Sequence, residues 1–478
     1  MLEKERDSEV AKLKVHYNKK LWPLYLLNGL QSVAYGGLIV LVVPLAEIFW
    51  PLDPADMHSF EMGMLYSILA WSSSFGGLFF GRLIDKFSRK WIIIIMSLFR
   101  GFPIMMLGFA TPGQGLSTWT YFLFFIAIFG FFAGGWWPAV ISISNDVVPR
   151  FQRSRFFGIY EIVRNTTTIV GWLFATSLVQ NGYWREFFWG IGILILLAGL
   201  IFTLHNKEPK RGAFQEELYH VLKDDKVIYN FQIDKEMIKK TMLSKTNIVA
   251  LIEGIFTWIL MSSLNFLILN FIQTPPINIA PFSTSVFLVV FGLTGGLVGQ
   301  LILARLSDKI AEKKPIYRLP IIVVSIIGGL ITFAAFFFLP WYPLTPAQGE
   351  NIGFLLTLPI IWAMGILFFT SRSVFSLYVV NQSPILQEIN LPEAQGQIIS
   401  WNQFLESFGR GIGPILCGII LSITGDNYQI SVLIVVACIF PGVILWILAL
   451  RWYPSDRIVI SDILEERAEI LENERASK

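Results

Sequence analysis

The chain is assembled from apolar runs long enough to cross a bilayer, separated by short charged stretches. A helix needs about 20 such residues to span the hydrocarbon core. No water reaches that core, so each segment must satisfy its own backbone N–H and C=O groups, as a helix does. We read twelve spans. Six fall at approximately 22–49, 62–84, 91–110, 119–145, 156–179 and 185–204, and six at approximately 247–271, 283–304, 319–340, 352–380, 396–424 and 429–453. Composition agrees, with 54% of the 478 residues hydrophobic and only 15% charged, against about 25% charged in a soluble domain. The expected fold class is therefore an all-α integral membrane protein with twelve transmembrane helices in two six-helix halves. The chain divides into an N-terminal segment (1–21), an N-terminal half (22–204), a linker (205–246), a C-terminal half (247–453) and a tail (454–478). The tail reads as a short acidic amphipathic helix (Ile460, Ile463, Leu464, Ile470, Leu471) lying in solvent or on the membrane surface.

Lysine and arginine in the loops set the orientation. Lys86, Arg89 and Lys90, then Arg150, Arg153 and Arg155, then the basic linker, then Lys309, Lys313, Lys314 and Arg318 mark one side. The other side carries Arg185 and the acids Asp53, Asp56, Glu61, Glu350 and Asp426. The basic side is expected to be cytoplasmic, with both termini on it, in a multi-pass protein of the cell membrane. The loop around Glu388 and Glu393 is the exception, having no basic residue. A net charge of +3 gives no reason to expect a nucleic-acid partner. Cys417 and Cys438 lie inside spans and lack metal-site spacing. No cleavable signal peptide is visible, because the first apolar run is long enough to span.

The two halves share sequence. Gly76-Gly-Leu-Phe-Phe-Gly-Arg-Leu-Ile-Asp85-Lys86 ends the second span, and Gly295-Gly-Leu-Val-Gly-Gln-Leu-Ile-Leu-Ala-Arg305-Leu-Ser-Asp308-Lys309 ends the eighth. Residues 149–171 also align with 392–414, matching Pro149 to Pro392 and Gln152 to Gln395. Duplicated six-helix halves are a transporter architecture. Gly81-Arg-Leu-Ile-Asp85-Lys86-Phe-Ser88-Arg89-Lys90 resembles the signature loop between helices two and three of the major facilitator superfamily, with Ser88 where glycine is usual. Asp146-x-x-Pro149-x-x-x-Arg153 resembles that family's acidic motif between helices four and five. The second half keeps Arg305 and Asp308 but has Ala304 for the leading glycine and Gly396 where an arginine would fall. Glu208-Pro-Lys-Arg-Gly212 is similar to a segment of Spinster-like members, which are associated with lysolipid transport. At converging helix ends, Asp85, Arg89, Asp146 and Arg153 can pair and part, so Gly81, Asp85, Lys86, Arg89, Asp146, Arg153, Arg305 and Asp308 form the expected gating set.

An ionisable residue near the bilayer centre costs roughly 2.5–3.5 kcal/mol, so each is a candidate site. Glu161, Arg164, Asn165 and Thr168 draw one polar stripe on the fifth span, and Asn402, Glu406 and Arg410 another on the eleventh. Arg100, Glu253 and Arg372 are further buried charges, and Asn28 and Gln31 share a face of the first span. Together Asn28, Gln31, Arg100, Glu161, Arg164, Glu253, Arg372, Glu406 and Arg410 are the candidate substrate and coupling groups. Alternatively, Glu161–Arg164 and Glu406–Arg410 are helix ion pairs that only fix packing. Glu253, with no arginine one turn away, is the leading candidate for a protonatable acid. No phosphate-binding loop is present, and His16, His58, His205 and His220 all fall outside the spans, so neither ATP-driven transport, a metal site, a cofactor nor an enzyme is expected. The expected function is secondary active transport of a small organic solute by alternating access, coupled to protons or another ion, in a monomer. The alternatives are a lipid or lysolipid substrate of Spinster-like type, or a membrane-embedded enzyme or scaffold without transport.

Overall fold

The computed structural model describes residues 16–53, 58–148, 153–206 and 235–477, and these are helical without any strand. The chain forms two compact units, residues 1–57 with 68–225 and residues 58–67 with 226–478.

In the first unit α1 (His16–Val40) and α2 (Val42–Phe49) form a single bent span with an angle of 66° between them. Leu41 leaves the helical region at φ −89°, ψ 15°. Pro44 has no N–H to return to Val40, and such a gap in the ladder is a usual cause of a sharp kink. There follow α3 (Ser59–Lys86), whose residues 59–67 are assigned to the second unit, α4 (Arg89–Leu107), α5 (Leu116–Gly134), α6 (Trp136–Val147), α7 (Arg153–Gln180) and α8 (Trp184–His205). Ser88 caps α4 by accepting the Trp91 N–H at 3.4 Å, which gives the departure from glycine a local use, since serine is among the preferred N-caps.

The second unit contains α9 (Lys245–Gln273), α10 (Pro281–Phe287), α11 (Thr294–Val298), α12 (Ala304–Lys313), α13 (Arg318–Phe337), α14 (Pro359–Glu388), α15 (Pro392–Thr424) and α16 (Tyr428–Ser477). Two π-helical turns, Leu288–Leu293 and Gly299–Leu303, join α10, α11 and α12 into one span. Among the described residues nine helices are long and apolar enough to cross a membrane, or ten if the α1–α2 pair is one span. Helices α3 and α7, at 28 residues each, are long enough as well but more polar. Adding them to the ten gives twelve helices of spanning length among the described residues, of which nine or ten are also apolar enough.

The same pairing recurs in each unit, between the first span and the fifth. In the first, a Cβ on Gly36 of α1 would lie 2.6 Å from the Thr168 carbonyl oxygen of α7. In the second, a Cβ on Gly413 of α15 would lie 2.6 Å from the Ile259 carbonyl oxygen of α9 and 2.1 Å from the Ser262 hydroxyl oxygen. Small residues that admit a neighbouring backbone are the usual basis of close helix contact in lipid, where burial against tails supplies no drive.

The tail departs from expectation. It is helical, but α16 runs unbroken for 50 residues from the last span. Ile460 and Ile463 are buried against Met242, Leu391, Ala394 and Ile398 rather than turned to solvent or lipid. Asp456 Oδ2 accepts the Thr246 N–H at 2.9 Å, a placement the positive end of α9 favours. Arg457 Nε lies 3.9 Å from Glu388 Oε2, and the Tyr453 hydroxyl bonds to the same oxygen. The loop that lacked basic residues thus draws its cation from α16.

Replacing Gly413 with valine should force α15 off α9. Overpacking of this kind costs about 1–3 kcal/mol, so the detergent-solubilised variant should unfold several degrees below the wild type. An unchanged unfolding temperature would mean that the crossing is loose.

Candidate functional site

Each unit holds its own buried polar cluster, built where its first and fifth spans meet. In the first unit the Asn28 side-chain amide of α1 donates to the Tyr160 carbonyl of α7 at 3.1 Å. One turn on, Gln31 accepts a hydrogen bond from Arg100 Nη1 of α4. The Arg100 guanidinium carbon stands 5.3 Å from the Trp136 ring centroid and 5.6 Å from that of Phe129, distances within the range of cation–π attraction. Trp136 Nε1 in turn donates to the Tyr160 hydroxyl at 2.5 Å. Arg100 is only 5% exposed, and its Nε and Gln31 Nε2 are buried without a hydrogen-bond partner.

Glu161 and Arg164 behave differently. They form an ion pair at 2.5 Å, with side chains 37% and 53% exposed. Exposed helix pairs are worth a few tenths of a kcal/mol, so this pair mainly cancels its own charge.

In the second unit Glu253 of α9 is fully buried. Its Oε1 accepts from the Thr257 hydroxyl at 2.5 Å and its Oε2 from the Tyr378 hydroxyl of α14 at 2.9 Å. Among the described residues no cation lies within ion-pair distance of it. A second chain of bonds runs beside it. Gln382 Nε2 of α14 donates to Asn402 Oδ1 of α15 at 3.3 Å, and Asn402 Nδ2 donates to Glu406 Oε1 at 2.6 Å. The two chains approach at Gly254, where a Cβ would come within 3.6 Å of Glu406, Asn402 and Gln382.

Glu406 and Arg410 do not make the ion pair that their spacing allows. Glu406 is turned to Asn402, and the Arg410 guanidinium carbon lies 4.1 Å from the Trp258 ring centroid. Arg372 of α14 donates through Nη2 to Asn265 Oδ1 of α9 and stands 5.1 Å from the Phe368 ring centroid.

Of the gating set, Arg89 is buried, with Nη1 on the Ser142 carbonyl oxygen at 3.3 Å. Asp308 accepts from Arg318 at 3.1 Å, and Arg318 also bonds Asn381 at 3.0 Å. Arg305 is exposed and Gly81 half-buried, with open space where its Cβ would point. The side chains of Asp85, Lys86, Asp146 and Arg153 lie outside the described residues, as does the stretch Glu208–Gly212.

Sequence reasoning passed over Tyr378, Gln382 and Asn265, and took Arg318 only as a marker of the basic side. Tyr378 and Gln382 stand at i and i+4 on the tenth span, and Trp258, Ser262 and Asn265 at i, i+4 and i+7 on the seventh. Each is a polar stripe of the kind read on the fifth span. Trp136 packs inside, against Arg100.

Residues 21–414 match the Major Facilitator Superfamily. Among curated proteins, a Na(+), Li(+), K(+)/H(+) antiporter of Planococcus maritimus is 27% identical over 32% of this chain and 36% of its own length. The niacin transporter NiaP of Acinetobacter baylyi is 28% identical over 41% of each chain. A probable sugar efflux transporter of Helicobacter pylori is 25% identical over 57% of this chain and 63% of its own length. The chain thus matches between 36% and 63% of the length of these relatives. Among solved structures, an inward-facing, unoccupied bacterial homologue of the human lysosomal transporter Spinster superposes with a TM-score of 0.71 at 16% identity, covering 92% of this chain and 98% of that one. A D-xylose–proton symporter superposes with a TM-score of 0.62 at 14% identity, covering 91% and 98%. At these identities the likeness is one of fold.

If the Tyr378 hydroxyl bonds Glu253, Tyr378→Phe and Glu253→Gln should not be additive. A double-mutant cycle on thermal unfolding should give a coupling of about 1 kcal/mol or more. Additivity within about 0.3 kcal/mol would show the bond to be absent.

Proposed function

The chain belongs to the Major Facilitator Superfamily, and from that premise we propose that it moves a small organic solute across the cell membrane by alternating access, coupled to protons through Glu253. One observation carries the coupling assignment: a fully buried carboxyl group on a spanning helix, held by two hydroxyl donors. Burying an ionised carboxylate without a cation is costly in low dielectric, and a proton removes that cost. A group of this kind couples proton occupancy to the arrangement of the helices around it. Thr257 and Tyr378 position its two oxygens, and Tyr378 brings α14 into the arrangement.

Asn28, Gln31 and Arg100 of the first unit, and Arg372, Glu406 and Arg410 of the second, are the substrate-facing groups in this reading. Glu161 and Arg164 are a self-neutralised pair within the first unit. The gate in this reading is formed by the loop motifs: Gly81, Asp85, Lys86, Arg89, Asp146 and Arg153 in the first half, and Arg305 and Asp308 in the second, the last engaging Arg318. A cation-exchanging relative, the Planococcus maritimus antiporter, supports an ion-driven cycle. The excess of Lys and Arg in one set of loops supports a cytoplasmic position for both termini in this reading.

Reconstituted Glu253→Gln protein should still exchange solute across liposomes at equal pH, but a pH gradient should no longer drive accumulation. Undiminished gradient-driven accumulation in this variant would remove Glu253 from the coupling role. The orientation has its own check. A cysteine introduced at Lys314 in a cysteine-free background should react with a membrane-impermeant thiol reagent from the cytoplasmic side only, and one at Gln114 from the outside only. The reverse pattern would invert the topology.

A further inference from the structure

One stripe of α9 holds two arginines that, among the described residues, form no ion pair with a carboxylate. Leu251, Ile255, Trp258, Ser262 and Asn265 follow at i, i+4, i+7, i+11 and i+14 and are partly exposed. The helix that carries them is otherwise the most enclosed of the spans, with 72% of its most apolar window buried. These five side chains share one face of α9, and Arg372 of α14 and Arg410 of α15 both reach that face.

Two guanidiniums flank this stripe. Arg410 lies over Trp258, and Arg372 is bonded to Asn265. Both residues are partly exposed. The ion pairs among the described residues are Arg164–Glu161, Arg318–Asp308 and Arg457–Glu388, and neither of these arginines is in one. Glu406 is the nearest acid in sequence to Arg410, and it is engaged by Asn402. Seven residues of helix separate Trp258 from Asn265, about 10 Å along the axis. Each guanidinium also has an aromatic face, Trp258 for Arg410 and Phe368 for Arg372. A planar guanidinium fork matches carboxylate and phosphate oxygens, and an anion offsets the cost of a cation in the membrane.

We propose that Arg372 and Arg410 form a two-point site for an organic dianion, two carboxylate or phosphate groups joined by an apolar body that lies along the α9 stripe. As a statement about the carried solute this rests on the transport reading above; as a statement about binding it stands apart from it. Arg164, cancelled by Glu161, takes no part.

The test is calorimetric titration of the full chain in nanodiscs with suberate, a linear dicarboxylate, against octanoate and the uncharged octanediol. Suberate should bind saturably and about ten-fold or more tighter than octanoate, and octanediol should not bind. Arg372→Gln and Arg410→Gln should each weaken suberate binding about ten-fold, while Arg→Lys at either position should retain part of it. Unfolding without ligand checks that each variant is folded, and if the glutamine variants are not, the lysine variants and the wild-type ranking decide. Suberate that fails to bind, or binds no better than octanediol, overturns the proposal. So does wild-type affinity in both folded glutamine variants. Suberate binding without any proton-driven uptake would count against the transport reading and leave the anion site standing. Proton-driven uptake of a neutral solute with no anion binding would do the opposite.

Discussion

Backbone contact between the first and fifth spans of each unit is the constraint on which the polar clusters depend. Where Gly413 of α15 meets Ile259 of α9, and where Gly36 of α1 meets Thr168 of α7, there is no room for a side chain. Removing side chains at the crossing brings polar groups on the two helices within hydrogen-bonding reach on either side of it. Asn28 reaches the Tyr160 backbone in the first unit. In the second, Glu406 and Asn402 come up to Gly254. Hydrophobic burial does not drive helices together in lipid, so packing of this kind and the bonds it permits must supply the specificity.

Charge is handled differently at different depths. Toward the helix ends, charges are paired: Asp308 with Arg318, and Glu388 with Arg457 and Tyr453. Deeper in the spans, among the described residues, Glu253 has hydroxyl donors and no cation, while Arg100, Arg372 and Arg410 have amides or aromatic faces and no ion-paired carboxylate. Charges that are not cancelled are costly to hold, and a transporter can use them, because a proton or a solute relieves the cost in one state of the cycle. A protein that needed only stability would gain by pairing or deleting them.

Much of this was legible in the sequence because hydrocarbon allows so few solutions. Apolar length gave the spans, and the repeated Arg-Leu-x-Asp-Lys gave the two halves. What sequence could not supply was the direction of each side chain. Glu406 and Arg410 have the spacing of an ion pair, but Asn402 one turn before and Trp258 on the facing helix draw them apart. Glu161 and Arg164, without such competitors among the described residues, pair as spacing suggests. Tyr378 was overlooked because a tyrosine in an aromatic-rich span reads as packing, and its hydroxyl becomes a partner only when α14 lies against α9. The tail was legible as an amphipathic helix, but the surface it covers includes residues 237–242 and the start of α15, which sequence does not bring together.

We propose a carrier driven by protons, and transport by the purified protein tests this most directly. Wild-type protein in liposomes, given an inward- or outward-directed pH gradient and a transportable solute, should accumulate that solute above its equilibrium level with saturable kinetics. A protonophore should abolish the accumulation and leave exchange intact. Solute that merely equilibrates, at a rate rising without limit with concentration and indifferent to the gradient, would contradict the account.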